Sequence, residues 1–123
     1  MTHRENESIQ VANNGLATNP NSPQLYTARS QAEVVLGRFD QAISDAEQAI
    51  RLSPRDPQVG LRHVIVGDAE VGLRRLDAAI EEYRKAIDVG YRNRVVNMAG
   101  AYALQGNMEE AKSVLAEALR AKS

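Results

Sequence analysis

The stretch Leu73–Asp88, LRRLDAAIEEYRKAID, combines a turn, a helix start and a helix body, and the same arrangement occurs twice more in the chain. The other two copies are Leu36–Leu52, LGRFDQAISDAEQAIRL, and Gln105–Ala121, QGNMEEAKSVLAEALRA. Copies of this kind are typical of proteins that stack one supersecondary unit, because each unit buries its apolar face against its neighbours. The sequence therefore predicts a repeat protein rather than one irregular core.

Each copy starts its helix beside a bulky apolar residue, which is Phe39, Leu76 or Met108. We expect nearby short polar side chains to accept hydrogen bonds from the free amides of the first turn. These residues are Asp40, Asp77 and Asn107. Mostly small residues then recur at three- and four-residue spacing, which places them on one stripe that faces a neighbouring helix. The stripes are Ala42/Ala46/Ala49, Ala79/Tyr83/Ala86 and Ala111/Leu115/Ala118.

Aligned on Ala42, Ala79 and Ala111, the copies are 37 and 32 residues apart, which brackets the ~34 residues of a helix-turn-helix repeat. The pattern resembles that of tetratricopeptide repeats. Family slots on the second helices correspond to Ala42, Ala49, Pro54, Ala79, Tyr83, Ala86, Ala111 and Ala118. On the first helices, Tyr26, His63 and Val95 take the opening aromatic slot, Ser30, Gly67 and Ala99 the small slot, and Glu33, Glu70 and Tyr102 the tyrosine slot. The two glutamates depart from the family pattern.

The resemblance implies an all-α fold of three tandem antiparallel helix pairs in a short right-handed solenoid, with repeats at about 23–56, 57–91 and 92–123. Pro23 suits a helix start, and Pro54 and Pro57 stop the second helix. We expect helices at about Gln24–Leu36, Asp40–Leu52, Gln58–Leu73, Asp77–Val89, Asn93–Gln105 and Met108–Lys122. Residues 1–22 are rich in Asn, Ser, Thr and Glu with scattered apolar residues, and are predicted to be a disordered leader.

The charge balance disfavours nucleic acid as a partner, because 15 basic and 16 acidic residues give a net charge of −1 and no large positive field. Cysteine is absent, which removes thiolate metal sites and cysteine nucleophiles and fits a reducing compartment. No apolar run approaches the ~18 residues of a membrane span, and residues 1–22 lack the pattern of a secretory signal. We therefore expect a cytoplasmic protein without membrane insertion.

Candidates for catalysis are few. His3 lies in the predicted leader and His63 in an aromatic slot, where a packed histidine is the simpler interpretation. The carboxylate pairs Glu81/Glu82 and Glu109/Glu110 are adjacent on helices and point in different directions, as expected of solvated faces. No phosphate loop, nucleophile elbow or two-histidine helix motif is present. We expect no enzyme activity, no cofactor and no metal site.

Proteins that resemble this chain bind peptides or partner helices on a concave groove lined by the first helix of each pair. The resemblance assigns that groove to Thr27, Gln31, Val34, Val35, Leu61, Val64, Asp68, Val71, Asn93, Val96, Gly100, Ala103 and Leu104. Chaperone adaptors of the family hold a terminal carboxylate with cations and asparagine on this face. The corresponding residues here are Thr27, Gln31, Ile65, Asn93 and Asn97. Because these slots contain no cation, an apolar segment or amphipathic helix is the expected ligand.

Two functions stay open on this sequence. The first is a non-enzymatic module that binds a protein or peptide partner in the apolar groove. The alternative is a regulatory or C-terminal segment of a larger signalling enzyme, since the run GDAEVGLRRLDAAIEEYRKAIDVGYR is similar to repeats that follow the catalytic domains of bacterial nucleotide cyclases. Apolar residues near the C-terminus, including Val114 and Leu115, also lead us to expect a weak homodimer at high concentration.

Overall fold

The computed structural model describes residues 2–122, which form helices joined by short turns, with no β-strand among them. The α-helices are α1 (Thr2–Thr18), α2 (Pro23–Val35), α3 (Phe39–Leu52), α4 (Val59–Gly72), α5 (Leu76–Asp88), α6 (Val95–Leu104) and α7 (Met108–Lys122). A 3-10 turn at Arg92–Arg94 leads into α6. Helices α2 to α7 form the three pairs expected from the repeats, α2–α3, α4–α5 and α6–α7, and each pair packs on the next. The structure thus confirms an all-α repeat solenoid.

Two helix starts are capped by side chains. Ser22 Oγ accepts a hydrogen bond from the Leu25 amide, and Pro23 follows it at the first helical position. Asn107 Oδ1 accepts from the Glu110 amide, as predicted. The same prediction is wrong for Asp40 and Asp77, because α3 and α5 begin one residue earlier and neither start has a side-chain cap. Both aspartates instead lie in the first turn, where their charge still favours the helix N-terminus.

The turns inside the three pairs share one backbone conformation. Gly37 and Gly106 have φ values of 78° and 82°, in the left-handed region that glycine adopts without strain. Arg74 occupies the same place in the central pair with φ 61°. A residue with a Cβ atom in this region is strained by about 1–2 kcal/mol. The central turn therefore stores strain that the outer two avoid.

The small residues of the second helices are buried in the first two pairs, as predicted. In the third pair Ala111 is buried, but Leu115 is exposed and Ala118 is half-buried. Ala42, Ala46, Ala49, Ala79 and Ala86 are inaccessible to solvent. Tyr83 is also buried, and it packs against Gly67 so closely that a Cβ on this glycine would lie 2.7 Å from Cε1 of the ring. The small and aromatic slots of the central pair are thus complementary.

The segment before the first pair differs from the prediction. We predicted disorder over residues 1–22, but within the described residues this segment forms α1, which packs along α2 and buries Ala12 and Leu16. A Cβ on Gly15 would lie 2.6 Å from Leu25 Cδ1, so the two helices approach closely at this point. The prediction is therefore wrong for residues 2–18, because a narrow apolar stripe supported by tertiary contact was too sparse to recognise.

A signal for α1 does exist in the sequence. Residues in α1 and in the turn after it match residues in α3 and in the turn after that helix. The spacing between matching residues is 34 positions, which is one full repeat. The corresponding pairs are Ser8/Ala42, Ile9/Ile43, Ala12/Ala46, Gly15/Ala49, Leu16/Ile50 and Pro20/Pro54. Helix α1 also packs against α2 as α3 packs against α4. It therefore has the place of a second helix in the repeat pattern, and among the described residues no first helix pairs with it.

The apolar core is divided between neighbouring pairs. One cluster centres on Tyr83, Ile80 and Met98 between α4, α5 and α6, and another joins Ala46 to Ile65 and Val66 between α3 and α4.

Within residues 2–122, no helix is long and apolar enough to span a membrane.

The largest fully buried side chain belongs to Arg62 on α4. Its Nε donates a 2.8 Å hydrogen bond to Thr27 Oγ1 on α2, and its Nη1 lies 3.4 Å from Asp56 Oδ2. A buried guanidinium is tolerated only when it is paired. This residue therefore ties α2, α4 and the loop between the first two pairs together.

Candidate interaction surface

We call the thirteen residues assigned to the groove the first-helix face, and the structure divides them into three classes of accessibility. The exposed residues are Gln31, Val35, Asn93, Val96, Gly100 and Leu104. The half-buried residues are Val34, Leu61, Asp68, Val71 and Ala103. The buried residues are Thr27 and Val64. Exposure is therefore concentrated on α2 and α6, the outer first helices.

Two assignments to the face are wrong as contact residues. Val64 belongs to the core cluster around Tyr83, and Thr27 is buried where its hydroxyl accepts from Arg62. Val96 takes the same repeat slot but is 64% exposed, since the described residues contain no first helix beyond α6 to cover it. The slot is therefore an interhelix position in the first two pairs and becomes surface only in the last pair.

Val71 is also less accessible than its slot suggested. Its side chain is half-buried and packs against the cluster that contains Val64 and Tyr83. A charge at Val71 would disturb the core as well as the surface. Val96 and Leu104 are better probes of the face because they are exposed and belong to neither described core cluster.

The centre of the face is polar. Asp68 Oδ1 accepts a 2.6 Å hydrogen bond from the Tyr83 hydroxyl. Burial raises the pKa of Asp68, while the Tyr83 hydrogen bond and the charge of Arg94 oppose that rise. Burial likewise raises the pKa of Tyr83, and Asp68 raises it further. The phenol is therefore a fixed hydrogen-bond donor that holds the carboxylate in place.

Sequence reasoning did not place Arg94 at this centre. In the structure Arg94 is half-buried at the end of the 3-10 turn, and its charge acts on Asp68 and Tyr83. Its position one residue before α6 was the available signal, because the start of one first helix lies beside the preceding first helix in a stacked array.

The slots that form a carboxylate clamp in the family contain no cation here. Among the clamp slots, Thr27 and Ile65 are buried, and Gln31, Asn93 and Asn97 are uncharged. The nearest buried cation, Arg62, is engaged by Thr27 and Asp56 and is inaccessible. Within the described part of the chain, no group of three His, Asp or Glu side chains is arranged to hold a metal ion. The accessible chemistry is therefore apolar contact with amide and carboxylate hydrogen bonding.

A second polar cluster lies between α1, α2 and α3. Arg29 forms a bidentate ion pair with Asp45, with N–O distances of 2.7 and 2.8 Å, and also donates to Asn13 Oδ1. Burial and the neighbouring Asp45 together raise the pKa of Glu33 to about 8, and Arg29 opposes the rise. These residues line a shallow depression that also contains Gln41 and Ser44. Because the ion pair joins three helices, we assign the cluster a structural role.

The histidine and the glutamate pair of the central repeat are in contact. His63 Nδ1 lies 2.9 Å from Glu82 Oε1, and Lys85 lies 3.1 Å from Glu82 Oε2. Glu81 is exposed, as predicted for a solvated face, but Glu82 is half-buried and belongs to this pair. The prediction of a solvated face is therefore wrong for Glu82. The contact holds His63 of α4 against Glu82 of α5.

Comparison with known proteins agrees with this architecture. A family model described as tetratricopeptide repeat matches residues 27–88, about half of the chain, and another of the same description matches residues 95–123. Small glutamine-rich tetratricopeptide repeat-containing protein 2 of Mycosarcoma maydis is 33% identical over 89 residues, which are 72% of this chain and 24% of that protein. DnaJ homolog subfamily C member 7 of Mus musculus is 27% identical over 88 residues, 72% of this chain and 17% of that protein. The chain spans a quarter or less of the length of these relatives.

Solved structures show the same fold at lower sequence identity. The crystal structure of MamA protein superposes with a TM-score of 0.84 and 22% identity, over 94% of this chain and 63% of that one. TTC0263, a thermophilic TPR protein in Thermus thermophilus, gives a TM-score of 0.77 and 21% identity, over 96% of this chain and 66% of that one. These likenesses establish the fold alone. The repeat-model matches and the 33% identical relative show that the chain belongs to the tetratricopeptide repeat family.

Proposed function

We propose that this chain is a non-enzymatic protein-interaction module that binds an apolar segment of a partner, an amphipathic helix or an extended peptide, on its first-helix face. The observation that carries the proposal is the exposure of three apolar side chains there: Val35 at 66%, Val96 at 64% and Leu104 at 53%. Apolar side chains left in water at an accessible face favour association, because their burial removes unfavourable hydration. The family membership supports a protein-interaction role of this general kind.

The face also favours a particular partner chemistry. Exposed apolar residues lie on the two outer first helices, and Asp68, hydrogen-bonded to Tyr83 of α5, lies on the central one. A ligand that covers the face would therefore present apolar residues toward α2 and α6 and a hydrogen-bond donor toward Asp68. A free terminal carboxylate is a poor match, because the clamp slots offer it no cation.

The same module could act within a longer protein, since the named relatives are about four to six times longer than their matched regions. The alternative, a regulatory segment of a nucleotide cyclase, needs a catalytic domain outside this chain and assigns the same binding role to the repeats. We also propose a cytoplasmic location, on the ground that a chain without cysteine gains nothing from an oxidising compartment.

The experiment uses substitutions on exposed positions. Partners captured from the source lysate by the full chain are purified, and their dissociation constants are measured by calorimetry for the wild type, Val96→Asp and Leu104→Asp. We expect each substitution to weaken binding at least about tenfold, because truncating a buried contact and adding a desolvated charge each cost more than about 1.4 kcal/mol.

The matched control is Val89→Asp. Val89 and Leu104 are equally exposed at 53%, but Val89 follows α5 and lies outside the first-helix face. We expect this variant to bind as the wild type does. If Val96→Asp and Leu104→Asp fold normally and keep wild-type affinity, the partner uses another surface and the proposal is wrong.

A further inference from the structure

An open cleft lies at the N-terminal end of the array, between α1 and α2. We call it the N-terminal cleft, and its walls include Arg4, Glu5 and Ser8 from α1 and Gln31, Ala32 and Val35 from α2. Helix α1 has the place of a second helix, so the cleft is where the first helix paired with it would lie. The rest of the array therefore shows what kind of segment fits such a cleft.

The equivalent cleft one repeat further along the chain lies between α3 and α4, and α2 fills it. Helix α2 packs along α3 and also touches α4. The walls correspond residue by residue, with Arg38 and Phe39 in place of Arg4 and Glu5, and Ala69 and Gly72 in place of Ala32 and Val35. The Phe39 ring lies against Gly72. Glu5 and Val35 are the equivalent residues of the N-terminal cleft, and both line it. The natural ligand of such walls is thus a helix.

The filled clefts also share an electrostatic feature. In the central pair, Arg75 Nη1 lies 3.8 Å from Glu70 Oε2 of the helix that fills the cleft. In the pair before it, Arg38 attracts the carboxylate of Glu33 on α2 and partly offsets the effect of burial on its pKa. Arg4 has the corresponding place in the N-terminal cleft and is exposed. A helix bound there would complete the pattern by presenting a glutamate to Arg4.

A second contact distinguishes the N-terminal cleft from the filled ones. At one position of the second helix, α3 and α5 present an acid to a nitrogen-bearing side chain of the paired first helix. Asp45 binds Arg29, and Glu82 contacts His63. Helix α1 has Val11 at this position, 66% exposed. A carboxylate or a cation opposite Val11 would lose its hydration without a partner. The helix that fits the cleft therefore has an apolar residue there.

We propose that the N-terminal cleft binds an amphipathic helix of a partner protein, one that presents small apolar residues to α1, an apolar residue to Val11 and a glutamate to Arg4. This site overlaps the one proposed above at Gln31 and Val35. Its distinguishing residues, Arg4 and Val11, lie on α1, whereas that binding is tested at Val96 and Leu104 on α6. The two sites can therefore be abolished one at a time.

The test uses a defined probe. This is a labelled peptide with the sequence of residues 22–36, the segment that fills the equivalent cleft, in which Arg29→Leu provides the apolar residue for Val11. Fluorescence anisotropy with the full chain is expected to show saturable binding. Arg4→Glu should weaken binding of this peptide about fivefold or more. A second peptide that also carries Glu33→Lys should bind the Arg4→Glu chain more tightly than it binds the wild-type chain.

Val11→Asp provides a specificity test at the other contact. The substitution introduces the acid found at this position in α3. The Val11→Asp chain should therefore bind the unmodified peptide, which keeps Arg29, more tightly than the Arg29→Leu peptide. The wild-type chain should bind the Arg29→Leu peptide more tightly. Arg4 and Val11 are both exposed, and far-ultraviolet circular dichroism will confirm that the variants keep the wild-type fold. Hydrogen exchange on the wild type should also show protection of α1 when the peptide is added.

Three results would overturn the proposal. The first is no saturable binding of the Arg29→Leu peptide, and the second is affinity that does not respond to Arg4→Glu or to Val11→Asp. The third is a dimer of the chain alone that Arg4→Glu dissociates, which would show that a second copy fills the cleft. Loss of peptide binding together with intact Val96-dependent partner binding would reject this site and leave the proposed function standing.

Discussion

The hydroxyl of Tyr83 on α5 donates a 2.6 Å hydrogen bond to Oδ1 of Asp68 on α4. The second helix of the central pair therefore fixes the carboxylate at the centre of the first-helix face. Gly67, the residue before Asp68, leaves the space that the Tyr83 ring fills. One aromatic side chain therefore sets both the packing of the pair and the orientation of its only carboxylate on the face.

This relationship predicts the effect of Tyr83→Phe. The substitution keeps the ring but removes the donor, which leaves Asp68 half-buried without its partner. We expect the free energy of unfolding to fall by about 1–2 kcal/mol at pH 7, measured by urea denaturation. Tyr102→Phe is the matched control, because the Tyr102 hydroxyl accepts only an exposed 3.2 Å hydrogen bond from Arg84. A loss as large in the control would mean that the phenol of Tyr83 has no special role.

Glu33 predicts a dependence of stability on pH. Its pKa is raised from 4.5 to about 8, first by burial and then by Asp45. Between these values the folded chain holds a proton that the unfolded chain releases, so the free energy of unfolding should fall by about 2 kcal/mol as the pH rises from 5 to 8. Glu33→Gln removes the ionisation and should flatten this slope. The exposed substitution Glu117→Gln should retain it, and parallel slopes for the wild type and Glu33→Gln would contradict the assignment.

Arg74 predicts a stabilising substitution. Its φ of 61° lies in the left-handed region, where Gly37 and Gly106 occupy the equivalent turns. Arg74→Gly should therefore raise the free energy of unfolding by up to about 1 kcal/mol, less the entropy that glycine adds to the unfolded chain. The reciprocal substitution Gly37→Ala should lower it by a similar amount. Thermal melts that rank the two variants in the opposite order would show that the turns are not equivalent.

The buried alanine stripe predicts a marked sensitivity to size. Ala79 is inaccessible to solvent, so Ala79→Leu should overpack the contact and cost about 1–3 kcal/mol. The control is Glu81→Gln on the exposed side of the same helix, which should change stability by less than about 0.5 kcal/mol. Glu82 is unsuitable as a control because its carboxylate contacts His63. Equal melting temperatures for the two variants would contradict the register of the repeats.

The C-terminal pair predicts weak self-association. Met108 and Leu115 are exposed on α7, at positions that correspond to Phe39 and Ala46, which the next pair covers. Lys112 lies between them and opposes a strong apolar contact. Sedimentation velocity should show a monomer at low concentration and a dimer at high concentration, and Leu115→Glu should reduce the dimer. A tetramer at every concentration would contradict this expectation.

Helices α2 to α7 could be predicted from the sequence to within about one or two residues at most of their ends, because their small-residue stripes recur with the period of the repeat. Helix α1 was missed because its stripe contains Ser8 and Gly15 where α3 has alanine. Such substitutions weaken a helix in isolation, and α1 is stabilised by its contact with α2.

The first-helix face was predicted only in part. Its slots are determined by the repeat, but the exposure of a slot depends on whether another helix covers it. Thr27, Val64 and Val96 occupy one slot, and only Val96 is exposed, on the last first helix among the described residues. The polar centre was missed for a related reason, since the proximity of Arg94 to Asp68 comes from the stacking of one pair on the next and follows from neither helix alone.

The stacking of helices on their neighbours has a thermodynamic consequence for the two proposed sites. Helix α1 packs along α2, whereas Val96 lies on α6, and the route between them runs through every intervening interface in turn. An array with only nearest-neighbour contacts transmits strain poorly over such a distance, because each interface can absorb part of it. Any coupling between the two sites should therefore come from the residues they share on α2, Gln31 and Val35, and a ligand that spans the whole first-helix face should compete with a helix in the N-terminal cleft.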